Sequence, residues 1–191
     1  MVSGPNDHCT FADKCGDVFV ITTESHHQGG SGTGVIIGDV KGGQLRSILE
    51  MNPWEDSQLP LELLAGDKWS EFNSVALLNE DLVLIGAGHR GIIAFTVSSI
   101  KEAKIKIPND DEDLWMDVKK PAFIRSLNGG TITQQVVAVK HQSFAFVLST
   151  EEAQNNQSVL SQVLWNSDKS ELQIVKSQHI DGQFSRLFVE V

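Results

Sequence analysis

Asp81-Leu82-Val83-Leu84-Ile85-Gly86-Ala87-Gly88-His89-Arg90-Gly91-Ile92-Ile93-Ala94-Phe95-Thr96-Val97 is the stretch that decides how this chain folds. Two apolar runs flank a turn punctuated by Gly86, Gly88 and Gly91. Each run is too short for a helix of ordinary length and is bounded by glycine, which predicts strands at Asp81–Gly86 and Ile92–Val97. Neither run alternates apolar with polar, so both strands should be covered on both faces, not laid with one face in water.

Working outward, Asn73 to Leu78 is a third short apolar segment, joined to the first by an Asn79-Glu80 turn. Ala103 to Ile107 alternates apolar residues with Lys, as a half-exposed fourth strand would, and Pro108 ends it. The same order recurs downstream. Gln134–Val139, Ser143–Ser149, Val159–Trp165 and Leu172–Val175 read as four strands separated by polar turns. Upstream lie Asp17–Thr23, a glycine-rich turn from His26 to Gly34, then Val35–Val40 and Leu45–Leu49. That first unit has only Thr10-Phe11-Ala12 on offer as an opening strand.

Asp17, Asp81 and Ser143 hold the same place in the three units, 64 and 62 residues apart. A second landmark agrees: Trp54–Pro60 and Trp115–Pro121 share the pattern W-x-D-x-x-x-P. A period of this size signals repeated supersecondary units that bury their cores against one another. The expected organisation is an N-terminal segment 1–16 followed by 17–191. The latter holds units at about 17–50, 73–107 and 134–175, long connections 51–72 and 108–133, and a strand at 184–191.

Four consecutive antiparallel strands that grade from buried to exposed resemble a blade of the β-propeller superfamily, and the quartets at 73–107 and 134–175 carry that resemblance. Neither the WD40 Gly-His and Trp-Asp pairs nor the kelch double glycine recurs in each unit, so no particular propeller family is indicated. The resemblance implies an all-β fold, a β-propeller or part of one. Three units fall short of the four blades that propellers typically have. Further blades from another chain, or a homo-oligomer, would supply the rest; a β-trefoil, also built from three four-stranded units, is the alternative.

Composition narrows function by exclusion. Among 191 residues, 40% are hydrophobic and 21% charged, enough for a sizeable core. The formal charge of −10, with Lys and Arg scattered, argues against nucleic acid or an anionic membrane as partner. No signal peptide or transmembrane run is visible, so the expected location is the cytoplasm or nucleus. The two cysteines, Cys9 and Cys15, make no disulfide framework, and their spacing does not match the usual zinc-ligand pairs.

Site candidates are few. Trp54, Asp56, Trp115 and Asp117 are candidate binding residues, because tryptophan is enriched at interface hot spots. Their repetition favours packing between units, since binding residues need not recur in every unit. Long connections from an outer strand to the next inner strand should share one face with His26, His27, His89, Arg90 and the Glu151–Gln157 turn. His26 and His27 are candidate metal ligands there. The acidic run Asp110–Asp113 lacks the glycine and spacing of an EF-hand loop. Gly86–Gly91 matches G-x-G-x-x-G by letter but leads into a strand, where a dinucleotide site needs a helix. Neither G-x-S-x-G nor H-E-x-x-H occurs, and no cofactor is implied. The expected function is a non-catalytic protein–protein interaction module offering long loops to a protein partner. A metal-dependent enzyme with its site at the propeller mouth, and a carbohydrate-binding β-domain using the two tryptophans, are the alternatives.

Overall fold

The computed structural model describes residues 7–27, 30–51, 72–89, 91–98, 124–126, 131–140, 142–151, 157–169, 171–184 and 186–188. These form an all-β structure of twelve strands in three four-stranded antiparallel sheets. Sheet A contains β1 (Asp7–Cys15), β2 (Val18–His27), β3 (Gly30–Lys41) and β4 (Gln44–Met51). Sheet B contains β5 (Ser74–Leu77), β6 (Leu82–Gly86), β7 (Ile92–Thr96) and β8 (Ile124–Ser126). Sheet C contains β9 (Thr131–Ala138), β10 (Phe144–Glu151), β11 (Gln157–Asn166) and β12 (Glu171–Ile180). In each, spatial order follows chain order. The trefoil alternative requires its units to share one barrel; here each unit closes its ladder within its own sheet, apart from a single Gly88–Thr133 bridge. The described strands do not close into a ring.

Sheet B lies between the other two. Alternate side chains along a strand point to opposite faces, and the two faces of sheet B belong to two separate cores. Val75, Leu77, Val83, Ile85, Ile93 and Phe95 pack with Val18, Val20, Val35 and Ile37 of sheet A. The intervening Ala76, Leu82, Leu84, Ile92 and Ala94 pack with Val136, Ala145, Val147 and Val163 of sheet C. This explains the unbroken apolar runs: every residue of β6 is buried, whichever way it points. Fully burying a Val, Leu or Ile side chain contributes about 1.5–3 kcal/mol, so these two layers of contact dominate the stability.

The opening strands β1, β5 and β9 lie side by side, and their exposed ladder edges are capped by the preceding sheet. The Leu77 N–H of β5 donates to Asp13 Oδ2 of β1 at 2.8 Å. The Val136 N–H of β9 donates to Ser74 Oγ of β5 at 2.8 Å, and the Thr133 N–H to Gly88 O at 2.9 Å. Each cap removes an unpaired donor from a sheet edge. Gly86 permits the tight approach: a Cβ there would stand 2.6 Å from Ser74 Oγ and 3.1 Å from Thr133 Cγ2. In all three units the carbonyl one residue before the second strand accepts an N–H from the third strand or its end. Asp17 O takes Val40 N–H at 2.8 Å, Asp81 O takes Val97 N–H at 2.6 Å, and Ser143 O takes Trp165 N–H at 2.9 Å.

Three features depart from expectation. Residues 7–15, assigned to an N-terminal segment, form the first sheet's opening strand, with a bulge near Thr10 satisfied by the buried Thr22 hydroxyl. The strand paired with β7 is β8, while Ala103–Ile107 lies outside the described residues. The segment expected as connection 108–133 therefore contains β8 and the start of β9. Finally, 184 and 186–188 of the expected 184–191 strand are not paired as a strand.

Candidate functional site

The strand directions define two ends of the stack. The closing residues of β1 and β5 meet at Asp13 and Leu77, and Lys140, just past β9, reaches the same carboxylate. The opening strands therefore run the same way. At this end Asp13 Oδ1 stands 2.8 Å from Lys140 Nζ, which also donates to Lys14 O at 2.9 Å. One carboxylate thus ties all three sheets. Asn79 Oδ1 caps the neighbouring turn through the Asp81 and Leu82 N–H groups, and Asp81 holds the Ser98 N–H and hydroxyl.

The opposite end gathers the β2–β3, β6–β7 and β10–β11 turns. His26 and His27 close β2, opposite Ser31 and Gly30, and are strand residues, not part of a turn beginning at His26. Most of the glycine run 29–34 likewise belongs to β3. His89 is exposed in the β6–β7 turn, whose reversal uses Gly88 and Gly91 at φ of 53° and 79°. Backbone placement thus brings His26, His27 and His89 to one end, as expected. Arg90, Trp54, Asp56, Trp115 and Asp117 lie outside the described residues.

The expectation that both W-x-D-x-x-x-P connections leave the stack at one face does not hold for their anchor points. Segment 52–73 joins β4 to β5 at the His89 end. Segment 97–123 joins the third strand of sheet B to its fourth, and so departs from and returns to the Asp13 end. The cause is the position of β8: the long segment sits inside the middle unit, before its outer strand.

The chemistry available at the His89 end is modest. His179 Nδ1 of β12 lies 3.6 Å from Glu151 Oε2 at the end of β10, beyond hydrogen-bond reach, and that oxygen is buried without a hydrogen bond. Between sheets B and C a cavity of about 20 Å³ is lined by Gly91 and the hydroxyl-bearing Thr131, Thr133, Ser149 and Ser161. That volume suits a single water and is far too small for a substrate. Among the described residues, no group of three or more His, Cys, Asp or Glu side chains is arranged to hold a metal ion. Cys15 is a free thiol, half-buried against the A–B core. Among the described residues, no helix is long and apolar enough to cross a membrane.

Sequence reasoning missed the Asp13–Lys140 contact. An aspartate in a polar N-terminal stretch carries no sign that it will meet a lysine three sheet-widths of chain away. No protein-family model matches this chain, and no curated protein matches it.

Proposed function

We propose that the chain is a non-catalytic protein–protein interaction module of β-propeller type, in which a rigid stack of sheets presents its long connecting segments to a protein partner. The observation that carries this reading is the interlocked inner edge. Asp13, Ser74 and Gly88 each cap a backbone donor of the next sheet; the Asp13 and Ser74 caps hold β5, where segment 52–73 ends, while Asp81 holds Val97 and Ser98, where segment 97–123 begins. Long connections on a rigid support are where binding residues concentrate. The recurring carbonyl bond of Asp17, Asp81 and Ser143 supports equating the three units with successive blades. Because the two segments are anchored at opposite ends, they would form two separate recognition surfaces.

Alanine substitution at Trp54 and Trp115 tests the proposal. A recognition role predicts an unfolding midpoint close to wild type and at least a tenfold loss of affinity for a partner identified by cross-linking to the wild-type chain. A packing role predicts a loss of about 3–5 kcal/mol in stability, as for other buried tryptophans, and would overturn the assignment of that residue to binding.

A further inference from the structure

The contact between neighbouring sheets occurs twice, and its two copies differ in one layer. The recurring carbonyl bonds fix which residues correspond: Asp81 O accepts from Val97 N–H, and Ser143 O from Trp165 N–H. Counting forward from these carbonyls aligns Val83, Ile85 and Ala87 of sheet B with Ala145, Val147 and Ser149 of sheet C. Counting back from the donors aligns Phe95 and Ile93 with Val163 and Ser161. The ladders agree, since Ile85 is paired with Ile93 and Val147 with Ser161. All five sheet B residues belong to the apolar core shared with sheet A. In sheet C, Ala145, Val147 and Val163 join the core shared with sheet B, but the layer nearer the His89 end consists of two serines. Both serines are buried, like the Ala87 and Ile93 to which they correspond.

The opposing surface changes in the same layer. Thr22 of sheet A, fully buried, corresponds to Gly86 of sheet B. Gly91, just before β7, likewise brings no side chain. Less volume and more oxygen thus coincide at the niche of about 20 Å³ that Gly91, Thr133, Ser149 and Ser161 help to line.

We propose that this niche is a binding site for one long-lived water molecule, which occupies the seam between sheets B and C where apolar side chains fill the seam between sheets A and B. One water needs about 10–15 Å³ of such space, so the niche holds one and not two. No charged side chain lines it, which suits a neutral occupant. Hydroxyls both donate and accept. Ser161 Oγ shares one hydrogen bond with Ser177 Oγ at 2.8 Å and keeps the capacity for another. Among the described residues, the hydroxyls of Thr133 and Ser149 have no partner. A buried hydroxyl left in that condition costs stability, and a bridging water with two to four polar neighbours removes the cost. Water held here joins β9, β10 and β11 from the side that faces sheet B. Nothing in this site depends on what the long segments bind.

Oxygen-17 magnetic relaxation dispersion detects waters that stay bound for longer than the protein takes to tumble, and it is blind to exchanging hydroxyl hydrogens. Ser161→Val adds bulk where sheet B has Ile93 and should displace the occupant. Its dispersion amplitude should fall below that of the wild-type chain by one water per chain. Ser149→Ala gives a second readout in the sign of the shift in the urea midpoint. A hydrated niche predicts a lower midpoint, because the water loses a hydrogen-bond partner. A dry niche predicts a midpoint at or above wild type, because a buried hydroxyl without a partner has been removed. Equal amplitudes in wild type and Ser161→Val overturn the proposal, as does a Ser149→Ala midpoint that does not fall. If Ser161→Val does not fold, the Ser149→Ala midpoint decides alone. None of these outcomes bears on whether Trp54 and Trp115 bind a partner, so failure here is distinguishable from failure of the loop reading.

Discussion

Replacing Asp13 by alanine should loosen all three sheets at once, with a cost that can be apportioned from the structure. Its carboxylate makes two contacts of different worth. Oδ2 accepts the Leu77 N–H at 2.8 Å, and Leu77 is fully buried, so removal leaves a backbone donor without an acceptor. Hydrogen bonds to charged groups are worth about 1.5–3 kcal/mol, and an orphaned buried donor costs a similar amount. Oδ1 meets Lys140 Nζ at 2.8 Å, but the lysine side chain is 46% exposed, so solvent screens the pair and about 0–1 kcal/mol is expected. Asp13→Ala should therefore cost about 2–3 kcal/mol in urea unfolding, and Lys140→Met about 0.5 kcal/mol. Asp13→Asn keeps an oxygen acceptor for Leu77 and should fall between, near 1 kcal/mol. Their double-mutant cycle should give a coupling below about 1 kcal/mol. Amide exchange at Leu77 should rise in Asp13→Ala and stay close to wild type in Lys140→Met. An alanine variant within about 0.5 kcal/mol of wild type, or a lysine variant as damaging as the alanine one, would refute the assignment of the larger effect to the Leu77 bond.

Two further substitutions probe the seam between sheets B and C. Ser74→Ala removes the acceptor for the buried Val136 N–H and should cost about 1–3 kcal/mol, with faster exchange at that amide by NMR. Gly86→Ala would press a methyl against Ser74 Oγ, at 2.6 Å before any adjustment, and should cost about 1–3 kcal/mol by chemical denaturation. The double variant should cost less than the sum, because the serine hydroxyl that the methyl strikes is gone.

The heart of the fold was legible because burial leaves a mark on composition. Leu82–Ile85 and Ile92–Phe95 are apolar throughout since each side chain meets a neighbouring sheet, whichever way it points. The spacing of Asp17, Asp81 and Ser143 likewise has a backbone counterpart, the carbonyl bond shared by the three units. What escaped was set by pairing and not by composition. β1 runs through Ala12, Asp13 and Lys14, residues with little strand preference, and is held by its ladder to β2. β8 is three residues long, too short to show any period. Its late position moved the base of the Trp115 segment to the other end of the stack. Glycines 30–34 looked like a turn because glycine disfavours strands, yet β2 extends far enough to pair with each of them. Of the candidate site, the convergence of His26, His27 and His89 followed from strand count alone. The Asp13–Lys140 contact depends on a fan of sheets that sequence spacing does not encode.

The tie between Asp13 and Lys140 also sets a timetable. A ribosome adds about 5–20 residues per second, so on the order of ten seconds separates the emergence of the aspartate from that of its lysine. For only part of that interval do Val18, Val20, Val35 and Ile37 wait, because their partners on sheet B are complete once Phe95 and Val97 have been made. The contact between sheets A and B can therefore close before sheet C is made, and the lysine arrives last, joining the third sheet to a pair already packed.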